Sequence, residues 1–340
     1  MSQTTTSSAT IAQPETQIIK PQTSRAKQSA IGFMIGAVAA CCAVTLTNPM
    51  EVVKTRLQLQ GELARTASGT KNVPKPYTNL FQAAILIFKN EGIRGIQKGL
   101  GPAYGYQIMM NGARLGFYEP IKHTYNDLLG NDPTKHHTLV NMLSGASSGL
   151  IGAAFGSPLF LVKTRMQSYS QHAGVGHQHY YRNSVAALRE IWKTDGIRGW
   201  FRGVDAAMLR TAVGSAVQLP TYGYVKSKIL QSNLCADNIY AHVSSSLISG
   251  IFVCCVMQPF DVVSTRMYNQ KTDPITGKGT LYRNPLDCMV KTLRAEGFFG
   301  LYKGFTAQYA RIGPHTIFTF VFFEQLTSLY KRYLRQYLEG

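Results

Sequence analysis

Pro49-Met-Glu-Val-Val-Lys-Thr-Arg-Leu-Gln58 recurs as Pro158-Leu-Phe-Leu-Val-Lys-Thr-Arg-Met-Gln167 and again as Pro259-Phe-Asp-Val-Val-Ser-Thr-Arg-Met-Tyr268. Behind each copy stands a second shared element: Glu91-Gly-Ile-Arg-Gly-Ile-Gln-Lys-Gly99, Asp195-Gly-Ile-Arg-Gly-Trp-Phe-Arg-Gly203 and Glu296-Gly-Phe-Phe-Gly-Leu-Tyr-Lys-Gly304. Two elements repeated three times in one order mean one structural unit used three times. Between them lie Tyr77-Thr-Asn79, Tyr181-Arg-Asn183 and Tyr282-Arg-Asn284. Each asparagine can cap a short amphipathic helix that ends at the acid-glycine pair.

Each proline closes a long run without Asp, Glu, Lys or Arg: Gln28 to Met50, His136 to Val162 and Asn238 to Phe260. As helices these runs can each cross ~30 Å of hydrocarbon. Small residues four apart, Gly36/Ala40, Gly145/Gly149 and Ser246/Gly250, let such helices pack closely. A second span follows each base-glycine, at about 102–122, 206–228 and 306–329, with one arginine deep inside: Arg114, Arg210 and Arg311. The reading is an all-α membrane protein: six transmembrane helices in three pseudo-symmetric repeats, with three short amphipathic helices on one side. The units are 30–128, 136–232 and 239–333, behind a solvated, disordered tail at 1–29.

Composition fits this. Mean hydropathy is near zero and only 15% of residues are charged, as for helices with one face on lipid and one on a wet cavity. The formal net charge of +18 admits nucleic acid, anionic lipid or small anions as partners. The uncharged runs speak against nucleic acid. Of 35 basic residues, 22 fall in the segments 54–98, 163–204 and 264–304, so that side should face the more negative compartment. Six cysteines, two adjacent pairs among them, read as reduced and packed. His172, His177 and His179 share a polar loop that reads as solvated, not as a metal site. Neither a phosphate-binding loop nor a nucleophile–base constellation is present, so no catalysis, metal or cofactor is expected.

The tripled Pro-x-acid-x-x-base-x-Arg motif, with acid-Gly-x4-aromatic-base-Gly behind it, resembles the mitochondrial carrier family over about residues 30–330. The stretch Ser157 to Ser168 resembles the branch that carries oxaloacetate and other dicarboxylates. Oxoglutarate or tricarboxylate transport, or an adaptor that keeps the fold without transport, are the alternatives. The resemblance implies a monomeric, multi-pass inner-membrane protein, opening alternately to each side, with both termini toward the intermembrane space.

It also implies two gates of ion pairs. On the matrix side, acid and base share a helix face, and family pairing joins Glu51 to Lys163 and Asp261 to Lys54. The third pair, Phe160 with Ser264, has lost acid and base together, which avoids stranding a charge. Gln58 and Gln167 are placed to brace the links. On the opposite side the pairing joins Lys226 to Glu324, sets Lys122 against Gly223, and sets Thr327 against Glu119.

Counting back 13 residues from the outer gate positions reaches Tyr106, Arg210 and Arg311, which match the family's substrate contacts; Gln107 and Thr211 follow two of them. Arginines in lipid with no nearby acid need an anion, a carbonyl or water. Arg210 and Arg311 can grip the two ends of a diacid through paired hydrogen bonds, with Gln107 and Thr211 for a keto or hydroxyl oxygen. Arg114 relays the anion, or else bonds helix carbonyls. Gly99, Gly203 and Gly304 open helices whose N–H groups, by resemblance, bind cardiolipin; Gln97 replaces the usual aromatic at the first.

Overall fold

The computed structural model describes residues 25–62, 76–130, 137–231, 239–273 and 279–339. Most of the tail read as disordered lies outside the described residues. Its last part does not behave as a tail, because the first helix already begins at Arg25.

Each repeat has the same build. In the first, α1 (Arg25–Leu59) leads to α2 (Leu80–Ile96) and α3 (Leu100–Leu128). The second has α4 (Thr138–Ser168), α5 (Ser184–Trp200) and α6 (Val204–Gln231). The third has α7 (Ile239–Asn269), α8 (Pro285–Glu296), a 3-10 turn (Phe298–Tyr302) and α9 (Phe305–Glu339). The six long helices form a closed ring in the order α1, α3, α4, α6, α7, α9. Ile31–Leu59, Leu139–Ser168 and Ser244–Asn269 are long and apolar enough to cross a membrane by composition alone. Their partners α3, α6 and α9 are long enough as well but carry more polar residues, as cavity-facing helices must.

The prolines do not end these helices. Pro49, Pro158 and Pro259 lie inside α1, α4 and α7, which continue to Leu59, Ser168 and Asn269. The last turns below each proline are among the most buried in the protein, including Val52, Val53, Leu161, Val162, Val262 and Val263.

The short helices start where the asparagines stand. The side chain of Asn79 accepts from the N–H of Gln82 at 2.9 Å, Asn183 from Ala186 at 2.7 Å, and Asn284 from Asp287 at 2.8 Å. Gly92, Gly196 and Gly297 then turn the chain with φ of 65°, 65° and 77°. Gly99, Gly203 and Gly304 sit in the left-handed region just before α3, α6 and α9, with φ of 73°, 76° and 76°. They must also be small: a Cβ on Gly99 would lie 3.1 Å from the carbonyl of Lys163, and one on Gly304 3.3 Å from that of Lys54.

Candidate functional site

The inner ends of α1, α4 and α7 meet on the pseudo-threefold axis, and both expected ionic links are formed there. Lys163 Nζ is 2.5 Å from Glu51 Oε2, and Lys54 Nζ is bonded to Asp261 Oδ2. These four side chains have almost no solvent access, so each charge needs its partner. Gln58 braces the second link, donating to Asp261 at 3.2 Å and accepting from Thr265 at 2.8 Å. Gln167 does not brace the first: it accepts from Thr55 and donates to Asn48, both at 3.1 Å. The expectation for Gln167 is therefore revised to a tie between α4 and α1.

Where the third link is missing, aromatic rings take its place. Phe160 lies 5.1 Å from Tyr106 on one side and 5.1 Å from Tyr268 on the other. Tyr268 reaches the hydroxyl of Ser157 at 2.9 Å, while Ser264 Oγ is buried with no hydrogen-bond partner among the described residues.

The contact arginines stand directly above this floor, and here the structure corrects the sequence reading. They are not without acids. Arg311 Nη1 is 3.1 Å from Glu51 Oε1, and Arg210 Nη1 is 3.8 Å from Asp261 Oδ1. Arg210 also donates to the Tyr106 hydroxyl at 3.3 Å and lies 5.4 Å from the Phe160 ring centre. Each gate carboxylate is thus shared between a lysine below and an arginine above. The proline-bounded uncharged runs hid this, because the acids belong to the helix turns beyond the prolines.

Thr211 is also placed differently. Its hydroxyl donates to the carbonyl of Ala207 at 2.9 Å, and its methyl packs where a side chain on Gly149 would go. That proton is spent, so Thr211 has none to offer a keto oxygen. Gln107 is half-buried on α3 with no hydrogen bond among the described residues. Arg114 is exposed, packs its Cβ near Gly152 of α4, and has no ion pair among the described residues.

At the outer ends, Glu119 and Glu324 are exposed, and no described residue forms an ion pair with either; Lys122 and Lys226 are half-buried. Lys226 and Glu324 do not pair with one another in this conformation, in which the floor at the ends of α1, α4 and α7 is closed.

A second layer went unread in the sequence, although the final arginine of each triplicate motif signals it. Arg56 forks onto Glu91 at 2.5 and 2.9 Å, and Lys98 reaches the same carboxylate at 2.7 Å. Burial raises the Glu91 carboxyl, but hydrogen bonds from Arg56, Lys98 and Ser170 outweigh this and hold it down at about 2. Arg266, Glu296 and Lys303 repeat the arrangement at 2.7 and 2.5 Å. Both clusters grip the next helix end: Lys98 donates to the carbonyl of Tyr169 and Lys303 to that of Gln60. Repeat two departs. Asp195, one methylene shorter, pairs with Arg202 at 3.3 Å, while Arg165 turns to the Tyr181 hydroxyl and the Tyr268 carbonyl. Nη2 of Arg165 is buried without a hydrogen-bond partner among the described residues.

The polar loop after α4 is not simply solvated. His179 Nε2 lies 3.0 Å from the carbonyl of Asn269, and the His177 ring centre lies 4.4 Å from that of His179, tilted by 47°. Burial and the nearby Arg165 charge push His179 down to about 3, which keeps it neutral.

Gln97, standing where the other two repeats have the aromatics Phe201 and Tyr302, donates to the carbonyl of Thr45 at 3.0 Å. Tyr302 makes the matching bond to the carbonyl of Cys255 at 3.2 Å. The glutamine therefore replaces the hydroxyl's tether, though not the ring.

The family profile described as "Mitochondrial carrier protein" matches residues 26–128, 134–233 and 236–334. The chain is 53% identical over 302 residues to the "Mitochondrial oxaloacetate transport protein" of Schizosaccharomyces pombe, covering 89% of this chain and 91% of the relative. It is 46% identical to the "Mitochondrial citrate transporter E" of Aspergillus niger, over 88% of this chain and 93% of that one. It is 37% identical to the bovine "Mitochondrial 2-oxoglutarate/malate carrier protein", over 92% and 94%.

Proposed function

The chain belongs to the mitochondrial carrier family, and we propose that it carries oxaloacetate and related dicarboxylates, with sulfate-like dianions as further substrates, across the mitochondrial inner membrane by alternating access. The observation that carries this reading is the charge at the cavity floor. Among the described residues, Lys54, Lys163, Arg210 and Arg311 pair with two carboxylates, Glu51 and Asp261. Four cations and two carboxylates leave two positive charges in a wet hole within the membrane. A dianion neutralises them; a neutral solute or an amino acid does not.

The shared carboxylates give the coupling. Arg311 ties α9 to Glu51 of α1, and Arg210 ties α6 to Asp261 of α7, so both arginines help hold the floor shut. An arriving diacid offers each guanidinium a carboxylate in a bidentate geometry. Glu51 and Asp261 then keep only their lysines, and the floor loses two cross-helix ties. Two ion-pair contacts across the floor are lost together, which shifts a closed floor toward opening. Tyr106 is released from Arg210 in the same step and can donate its proton to the keto oxygen. Gln107 lines the path above, and Arg114 attracts the anion at the open side. The outer ring closes as the floor opens, with Lys226 and Glu324 as its one full ion pair.

The positive-side rule puts the short helices α2, α5 and α8 in the matrix and both termini in the intermembrane space. The starts of α3, α6 and α9 at Gly99, Gly203 and Gly304 are the cardiolipin positions. A Cβ on Gly101 would lie 3.3 Å from Ser184 Oγ, so the starts of α3 and α5 adjoin and can share one doubly phosphorylated lipid. The protein works as a monomer, since the cavity lies inside one closed ring of helices.

The test is uptake into liposomes holding the purified protein, using labelled oxaloacetate, malonate, sulfate, oxoglutarate and ADP. Transport of the dianions and not of ADP is expected. Preference for ADP overturns the charge argument, and silence toward every anion points to an adaptor.

A further inference from the structure

His315 lies on α9 one turn beyond Arg311, on the same helix face. Its Nδ1 is 3.3 Å from Thr47 Oγ1 across the α1–α9 contact. Thr47 is buried, and its hydroxyl donates to the carbonyl of Ala43 at 2.9 Å. A hydroxyl has one proton to give, and Thr47 has given it. With that proton on the shorter bond to Ala43, the contact with the ring runs the other way, with His315 Nδ1–H donating. This selects one tautomer of the neutral imidazole and leaves Nε2 with a lone pair. Nε2 has no hydrogen-bond partner among the described residues and is not sealed from solvent. The charged groups facing the ring are Arg311 on its own helix, Glu51 on α1 and Lys163 on α4.

We propose that His315 is a further substrate-recognition residue, which takes a proton on Nε2 from cavity water when a carboxylate occupies Arg311 and then donates that proton's hydrogen bond to the bound carboxylate. Two features support it. A bare Nε2 offers only a lone pair, and a carboxylate oxygen has no hydrogen to offer it. The Thr47 tether also keeps the ring in one orientation whether or not Nε2 is protonated, so the donor is presented without reordering. The proton returns to water when the anion leaves. Substrate affinity should then depend on pH through one imidazole, even for a diacid that stays fully ionised.

The inference rests on the dicarboxylate reading above, and its test separates the two. KM and kcat for oxaloacetate uptake are measured in liposomes from about pH 6 to about pH 8 for the wild type, His315→Gln and Thr47→Val. The wild type should show a KM about ten-fold or more lower at the acid end, with a smaller change in kcat, one charge-assisted hydrogen bond being at stake. His315→Gln can still donate to Thr47 but cannot titrate, so its KM should stay high and flat across the range. Thr47→Val keeps the titrating ring and removes its acceptor, so the midpoint of the profile should move. A wild-type pH profile surviving in His315→Gln, or a flat wild-type profile, overturns the proposal. A wild type that carries no dianion at any pH overturns the dicarboxylate reading instead. Melting temperatures matched to the wild type within a few degrees show that the variants are folded; a misfolded His315→Gln leaves Thr47→Val, whose unmoved midpoint would equally overturn the assignment.

Discussion

Arg311 and Glu51 stand 3.1 Å apart, and Lys163 holds the other oxygen of the same carboxylate at 2.5 Å. The residue that should grip substrate is thus also a third partner in the gate. A parallel relation, looser at 3.8 Å, joins Arg210 to Asp261 above Lys54. Binding and gating share two carboxylates, and most of the expected mutant behaviour follows from that sharing.

Lysine at 210 or 311 keeps the charge but loses the planar fork that matches a carboxylate. Arg210→Lys and Arg311→Lys should each raise the KM for dicarboxylates by about ten- to a hundred-fold, from ~1.4–3 kcal/mol of lost bidentate bonding. Transport kinetics in liposomes test this. An Arg210→Lys protein that carries dicarboxylates like the wild type would remove the binding account.

Charge reversal should behave differently at the two gates. Swapping Lys226 and Glu324 should preserve more transport than either single reversal. The swap Glu51→Lys with Lys163→Glu should not rescue, because the new lysine faces Arg311. Losing a buried partner there costs about 3–5 kcal/mol, and the arginine makes the swapped pair lopsided. Equal rescue at both gates would show that Arg311 plays no part in the closed floor.

Repeat two holds a buried guanidinium without a carboxylate. Arg165 is 3% exposed and is held by a hydroxyl and a carbonyl, with Nη2 left over, where Arg56 and Arg266 have glutamates. Asp195→Glu supplies the missing methylene. It should stabilise the floor-closed state by about 1–2 kcal/mol and raise the melting temperature by a few degrees. Transport should slow, since the closed state is favoured. An unchanged melting curve would mean that the longer side chain does not reach Arg165.

A pH effect should come from Glu62, just beyond α1. Burial pushes its carboxyl up to about 7, against the pull of the nearby Arg266. An acid raised in the folded state costs stability once it must ionise. The penalty is absent below about pH 4.5, grows with pH, and is complete above about pH 7. Glu62→Gln should therefore melt higher than the wild type at about pH 8, by an amount worth ~1–2 kcal/mol because the group is only half-buried, and the gap should shrink at about pH 6. A gap that is constant with pH would assign the effect to packing.

The fold and the floor links were legible because they rest on identity and spacing. Glu51, Lys54, Lys163 and Asp261 occupy the acid and base positions, three apart, of a motif that the threefold repeat brings together, so the pairs could be read from the chain. The asparagine caps follow from local chemistry in the same way. Gln167 resisted that logic. It occupies the same motif position as Gln58, but Asn48 and Thr55 lie within its reach and claim its amide. Thr211 was misread for a related reason: a hydroxyl one turn from a helix carbonyl bonds it first, before any ligand arrives.

What the chain determined alone is periodic: three units, six long helices, capped short helices, and which residues can share a face. Those features depend on contacts within a few turns, and local spacing encodes them. Tertiary packing decided which of several cations each buried carboxylate would hold. Arg311 and Glu51 are 260 positions apart in the chain, and a shift of one or two ångströms between α1 and α9 separates an ion pair from two lone charges. Electrostatic attraction in a poorly screened interior is steep at that range, so only the packed helices could set the partners.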